Sequence, residues 1–206
     1  MPLLIWPRTL IEIVQAFEAR RSGRGDIGAL ILWATWTVEG LHYLDDLDSL
    51  HHKGDLSVED RQPDIVNIAH VRWATSSAIT ALDLCAAALG RECCGWTGQR
   101  ELDLRDFDPS LLSKDISLRR AALSAPSIGW VDKVLADPRY KDVQGARNPL
   151  THSRLRRRLY IDGPTHTEFV IAATGNALNT RDLVCHARDL ATERVTDFLA
   201  VIEALP

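Results

Sequence analysis

Gly145-Ala146-Arg147-Asn148-Pro149-Leu150-Thr151-His152 gathers an arginine, a carboxamide and an imidazole within six residues. Arg154, Arg156, Arg157 and Arg158 follow at once. Imidazole titrates near neutral pH and can both take and give a proton. Guanidinium is a permanent cation whose fork geometry matches a phosphate. The stretch also has a plain structural reading. Asn is a favoured helix N-cap and Pro a favoured first helical residue, so Asn148-Pro149 can simply start a helix. In a continuous helix, residues five apart are rotated by about 140°, which separates Arg147 from His152. Asn148 and His152, four apart, would then share a face.

Upstream of this stretch the apolar pattern is helical. Leu10, Ile11, Ile13, Val14 and Phe17 predict a helix over 8–21. Gly23-Arg24-Gly25-Asp26 breaks it, and Asp26 can cap a second helix over 27–49. That helix is apolar on nearly all sides through Trp33 and Trp36, and reads as a buried central helix. Residues 51–62 are polar and read as a loop, with His51 and His52 in it. A long third helix is expected over 63–89, ended by Gly90, with Arg72 and Thr75 interrupting its apolar stripe. That interruption hints at a polar cleft or a second subunit. Residues 91–126 are irregular, with a short helix around 111–122, and a stretch of this kind is either functional or mobile. Ser127 and Asp137-Pro138 then offer two helix starts, the second leading into the motif, where Gly145 and Pro149 each threaten continuity.

Downstream the period changes. Leu159-Tyr160-Ile161 and Phe169-Val170-Ile171 are β-prone runs flanking Asp162-Gly163-Pro164-Thr165-His166, a hairpin signal. Asn179 caps a strong last helix. The expectation is a mainly all-α chain, a helical bundle with one small β-hairpin after the motif, forming a single domain over 1–206.

Composition narrows the function classes. Apolar content of 46% and charged content of 25% suit a soluble globular protein. A net charge of −4 does not advertise a nucleic-acid binder, so clustering of arginines matters more than their total. No apolar tract is long enough to span a bilayer, and Met1–Arg8 lacks the basic region of a signal peptide. Cys85, Cys93, Cys94 and Cys185 form no C-x-x-C, which points to neither a zinc site nor a disulfide framework. A cytoplasmic location with free thiols, no metal and no cofactor is expected. His42, His70, His166 and His186 read as structural or surface residues.

Arg147-Asn148-x-x-x-His152, in a helical chain with the motif late and a long helix after it, resembles the HEPN (higher eukaryotes and prokaryotes nucleotide-binding) domains. The resemblance implies a metal-independent endoribonuclease, with Arg147, Asn148 and His152 catalytic and the products ending in 2′,3′-cyclic phosphate. It also implies a homodimer whose two motifs meet in one cleft, and a place in a toxin, defence or stress system with an antitoxin or regulatory partner. Arg154, Arg156 and Arg158 would track the RNA backbone, and they share a face if that segment is extended. In one HEPN toxin subgroup the motif continues as H-x-Y; here His152 is followed by Ser153 and Arg154, so that route of control has no matching tyrosine. The alternative is a non-catalytic helical module of the same fold that binds a nucleotide or a protein partner.

Overall fold

The computed structural model describes Gln15 and residues 25–53, 62–151, 158–161, 167–171 and 177–205. Among these the chain is mainly helical, as the apolar periodicity predicts. Six helices are described: α1 (Gly25–Lys53), α2 (Gln62–Cys94), α3 (Lys114–Ala122), α4 (Ala125–Ala136), α5 (Pro138–Thr151) and α6 (Thr180–Ala204). The helix expected over 8–21 lies outside the described residues apart from Gln15, which is helical. Three short strands separate α5 from α6: β1 (Arg158–Ile161), β2 (Thr167–Ile171) and β3 (Ala177–Asn179). The chain divides into two compact units, residues 1–39, 80–136 and 192–206 in the first and 40–79 and 137–191 in the second.

α1 departs from the expected buried helix. Ile27, Ile31, Ala34, Val38, Leu41 and Leu44 are buried on one side. Trp33 and Trp36 lie exposed on the other. An all-round apolar sequence could not show which stripe faces the core. α1 also continues through His51 and His52 to Lys53, where a loop was expected. Neither histidine breaks a helix, and the first strong breaker is Gly54.

In the first unit, Leu82, Cys85, Ala86 and Leu89 of α2 are buried, as are Val131 and Val134 of α4 and Val195, Phe198 and Ile202 of α6. Trp130 stacks at a tilt on Phe198, centroids 5.0 Å apart, and its indole N–H donates to the Arg194 carbonyl at 2.7 Å. Gly90 does not end α2; the helix runs on to Cys94 and stops where Gly95 takes a left-handed φ of +59°. The Trp96 N–H then closes on the Gly90 carbonyl at 3.0 Å. Gly90 is there for space, because a Cβ would sit 2.8 Å from Leu102 Cδ1.

Residues 91–126 are held by what they bury. Leu102, Leu104, Phe107 and Ile116 are anchors in a run that includes 3₁₀ turns at Leu104–Phe107 and Pro109–Leu111. Asp103 and Asp106 form a reciprocal capping box at the first turn. Arg91 pairs with Asp26 at 2.5 Å and with Glu101, and Asp106 accepts from Arg100 and Arg119. The Arg91 contact is the main reason the Asp26 carboxyl lies below its ordinary pKa.

In the second unit, β1 and β2 pair antiparallel with Arg158 opposite Val170 and Ile161 opposite Thr167. This gives the expected strands, while their connection over 162–166 lies outside the described residues. β3 adds a third strand to the sheet, Val170 opposite Leu178, which the sequence pattern did not announce in so short a run. Asn179 closes that strand and caps α6, its carboxamide oxygen accepting from the Arg181 N–H at 2.8 Å and the Asp182 N–H at 3.2 Å. The Thr75 hydroxyl in the α2 stripe donates to the Val71 carbonyl at 2.8 Å, so its own helix satisfies it and no polar cleft is needed.

Gly90→Ala tests the packing at the α2 end. Leu102 must shift as a whole, since its Cβ and Cγ would also lie 3.2 Å from the new methyl. The expected cost is about 1–3 kcal/mol, measured by denaturant unfolding, despite the gain in helix propensity. A more stable variant would show that Leu102 is not held.

Candidate functional site

α5 begins where Asp137-Pro138 suggested. Buried Asp137 accepts from the Arg139 backbone N–H at 3.0 Å and from its guanidinium at 2.8 Å, which fixes the first turn. Pro138 at the first helical position loses nothing by lacking an N–H. Tyr140, Val143 and Ala146, three apart, are buried and set the rotation of the helix.

Gly145 and Pro149 do not break α5, which runs to Thr151. Asn148 therefore lies inside the helix, and its reading as an N-cap is overturned. Pro149 sits near the C-terminal end, where it withholds one N–H, that due to the Gly145 carbonyl. Arg147 is half-buried, four positions on from buried Val143 and so at the margin of the buried face. Position 148 is turned a further ~100° round the axis. Arg147 and Asn148 are thus neighbours in the chain but about 100° apart round one helix end. His152, Arg154 and Arg156 lie outside the described residues; Arg158 opens β1.

A second polar constellation in the same unit joins residues distant in sequence. Asp45 on α1 is buried and accepts from Arg181 at 2.5 Å and from Arg188, both on α6. Arg188 also pairs with Asp189 at 2.7 Å, and the Cys185 thiol lies 4.0 Å from the Asp45 carboxylate. His42, one turn before Asp45, is half-buried beside the charges of Arg188, Asp45 and Asp189. Burial first, then Arg188, pulls its imidazolium below the ordinary histidine range. Burial likewise pushes the Cys185 thiol up, which keeps it protonated and a poor nucleophile. His42 reads from sequence as a structural or surface residue, and the fold sets it beside these charges. The signal was the spacing Arg181, Cys185 and Arg188, which puts two cations and a thiol on one side of a helix.

Among the described residues no group of three or more His, Cys, Asp or Glu could hold a metal ion, and no helix is long and apolar enough to cross a membrane. Comparison with known proteins found no matching family, no matching curated protein and no matching solved structure.

Asp45→Asn removes the shared anion and leaves two guanidiniums facing a neutral amide. The expected loss is about 2–3 kcal/mol, below the fully buried case because solvent screens the partly exposed cations. Its measure is chemical denaturation at neutral pH.

His42 adds a pH dependence of definite sign. Below about pH 6.5 the unfolded imidazole binds a proton that the folded one resists, so stability falls on acidification through that range. His42→Asn should flatten the melting-temperature slope between about pH 7.5 and about pH 5.5. Equal slopes in the two proteins would remove His42 from the account.

Proposed function

We propose that the chain is a metal-independent endoribonuclease of the HEPN type. What supports the reading is the motif Arg147-Asn148-x-x-x-His152 itself, with Asn148 a helical residue of α5 and not a helix start. With the N-cap reading of Asn148 gone, its carboxamide needs another account, and hydrogen bonding to His152 or to a phosphate is one.

The chemistry needs no cofactor. An RNA 2′-oxygen attacks the adjacent phosphorus and loses its proton to an imidazole base. The bond to the 5′-oxygen breaks, and a second imidazole, in its acid form, protonates that leaving oxygen. The products are a 2′,3′-cyclic phosphate and a 5′-hydroxyl, with no water consumed. Arg147 neutralises charge building on the phosphoryl oxygens. Two proton-transfer roles and one motif histidine per chain favour a homodimer, with His152 of one copy as base and its symmetry mate as acid. Arg154, Arg156 and Arg158 supply phosphate contacts along the strand. The reading places the protein in the cytoplasm, in a toxin, defence or stress role under the control of a regulatory protein.

Purified protein incubated with RNA in EDTA should give cyclic-phosphate ends, and His152→Ala should give none. Asn148→Ala is the sharper variant. Inside a helix, Ala is favoured over Asn by about 0.6 kcal/mol, so the melting temperature should hold or rise slightly. Cleavage should fall by about a hundredfold, the worth of a positioned transition-state hydrogen bond. Activity lost in EDTA and restored by Mg²⁺ would exclude this mechanism.

A further inference from the structure

α1 carries a second apolar stripe that its buried face does not use. Ala29, Trp33, Trp36, Gly40 and Tyr43 are all exposed and follow one another in alternating steps of four and three. That spacing keeps residues on one narrow helix face and is the spacing of a helix–helix seam. All five lie on one unbroken helix, so their mutual placement follows from α1 alone. Trp33, Trp36 and Tyr43 are 61%, 57% and 52% exposed. The two indoles stand 6.4 Å apart at a 53° tilt. Exposed Asp26 and Asp46 bound the stripe, the exposed positions between them on this face are uncharged, and half-buried Glu39 lies at its margin.

Gly40 is the informative member. A mid-helix glycine costs about 1 kcal/mol relative to alanine. Among the described residues nothing requires it, since a Cβ there would meet nothing within 4 Å. The open space over Gly40 leaves room for a side chain from outside the described residues. Reflection of the stripe about the level of residue 38 supplies the occupant. In an antiparallel pair of α1 helices with that register, position 36 faces position 40 and position 33 faces position 43. The largest side chain then fills the space left by the smallest, twice, and Trp33 meets Tyr43.

We infer that this face of α1 docks antiparallel on the same face of a second copy of the chain. The contact is isologous, with each Trp36 seated over the partner copy's Gly40. A glycine at the crossing lets the helix axes approach closely. At about 200 Å² per aromatic side chain, the three exposed fractions offer about 700 Å² over two copies, somewhat under half of a standard interface. They form its apolar centre, and the flanks of α1 supply the rim. Tryptophan at such a centre is where binding energy concentrates. The inference does not rest on the ribonuclease reading, and its test needs no RNA.

Sedimentation equilibrium of the full chain at micromolar concentration should show a dimer. Trp36→Gly leaves a void and Gly40→Trp sets indole against indole, and each should weaken self-association by about thirtyfold. The Trp36→Gly/Gly40→Trp double variant exchanges knob and recess and should restore most of it. Gly40→Ala, whose methyl meets nothing among the described residues, should raise the melting temperature of dilute protein while weakening the dimer. Far-ultraviolet dichroism of each variant checks that the helices survive. A monomeric wild type, with the face covered by residues 1–24 or by another protein, overturns the inference. So does a dimer indifferent to both single changes, or one that the double variant fails to restore.

Discussion

Burying Ile27, Ile31, Ala34, Val38, Leu41 and Leu44 on one side of α1 forces Trp33 and Trp36 to the other, because each helical residue turns the chain by about 100°. At about 1.5–3 kcal/mol per large apolar side chain, that stripe is worth on the order of 10 kcal/mol. Turning α1 to hide two indoles would forfeit more than it gained. The same constraint sets α5, where Tyr140, Val143 and Ala146 fix the rotation and leave Arg147 at the edge of the buried face. Rotational setting by buried stripes is thus the physical basis for both surfaces argued above.

Charge placement follows from burial in its turn. Asp45 is tolerated inside the second unit because Arg181 and Arg188 both reach it, and burial beside them disfavours the charged form of His42. In the first unit Arg91 joins Asp26 and Glu101, binding the start of α1 to the segment that follows α2. With these arginines committed to carboxylates, the net charge of −4 is no guide to where free cationic surface lies.

The helices were legible because period and breakers agree: Asp137-Pro138 starts α5 and Asn179 starts α6, each through a side chain that accepts from the next turn. Misreadings came where one residue type serves two purposes. Gly90 resembles a terminator, yet it admits Leu102, and only the fold shows that need. Asn148-Pro149 resembles a helix start, but a proline in a last turn forfeits only one hydrogen bond and the helix absorbs it. The Trp33 and Trp36 stripe was visible as apolar, while its exposure depended on which of two competing stripes found partners. The Asp45 constellation showed only its α6 half in sequence, because Asp45 lies 136 residues from Arg181.

A phosphate brought to the end of α5 meets the unfavourable pole of a helix. Anions are stabilised at helix N-termini by free N–H groups, whereas the C-terminal end presents carbonyl oxygens. Pro149 sharpens the problem by leaving the Gly145 carbonyl without its usual donor. Under the ribonuclease proposal, a site there would gain no help from the backbone and would draw its positive potential from side chains. That gives a physical reason for cations to crowd the sequence around the motif, Arg147 within α5 and Arg154, Arg156, Arg157 and Arg158 after it. It also separates their duties under the ribonuclease proposal. Arg147, held by its helix at the margin of the buried face, suits the localised charge of the transition state. The later arginines suit the diffuse field of a polyanion, whose contribution to binding weakens as salt is raised.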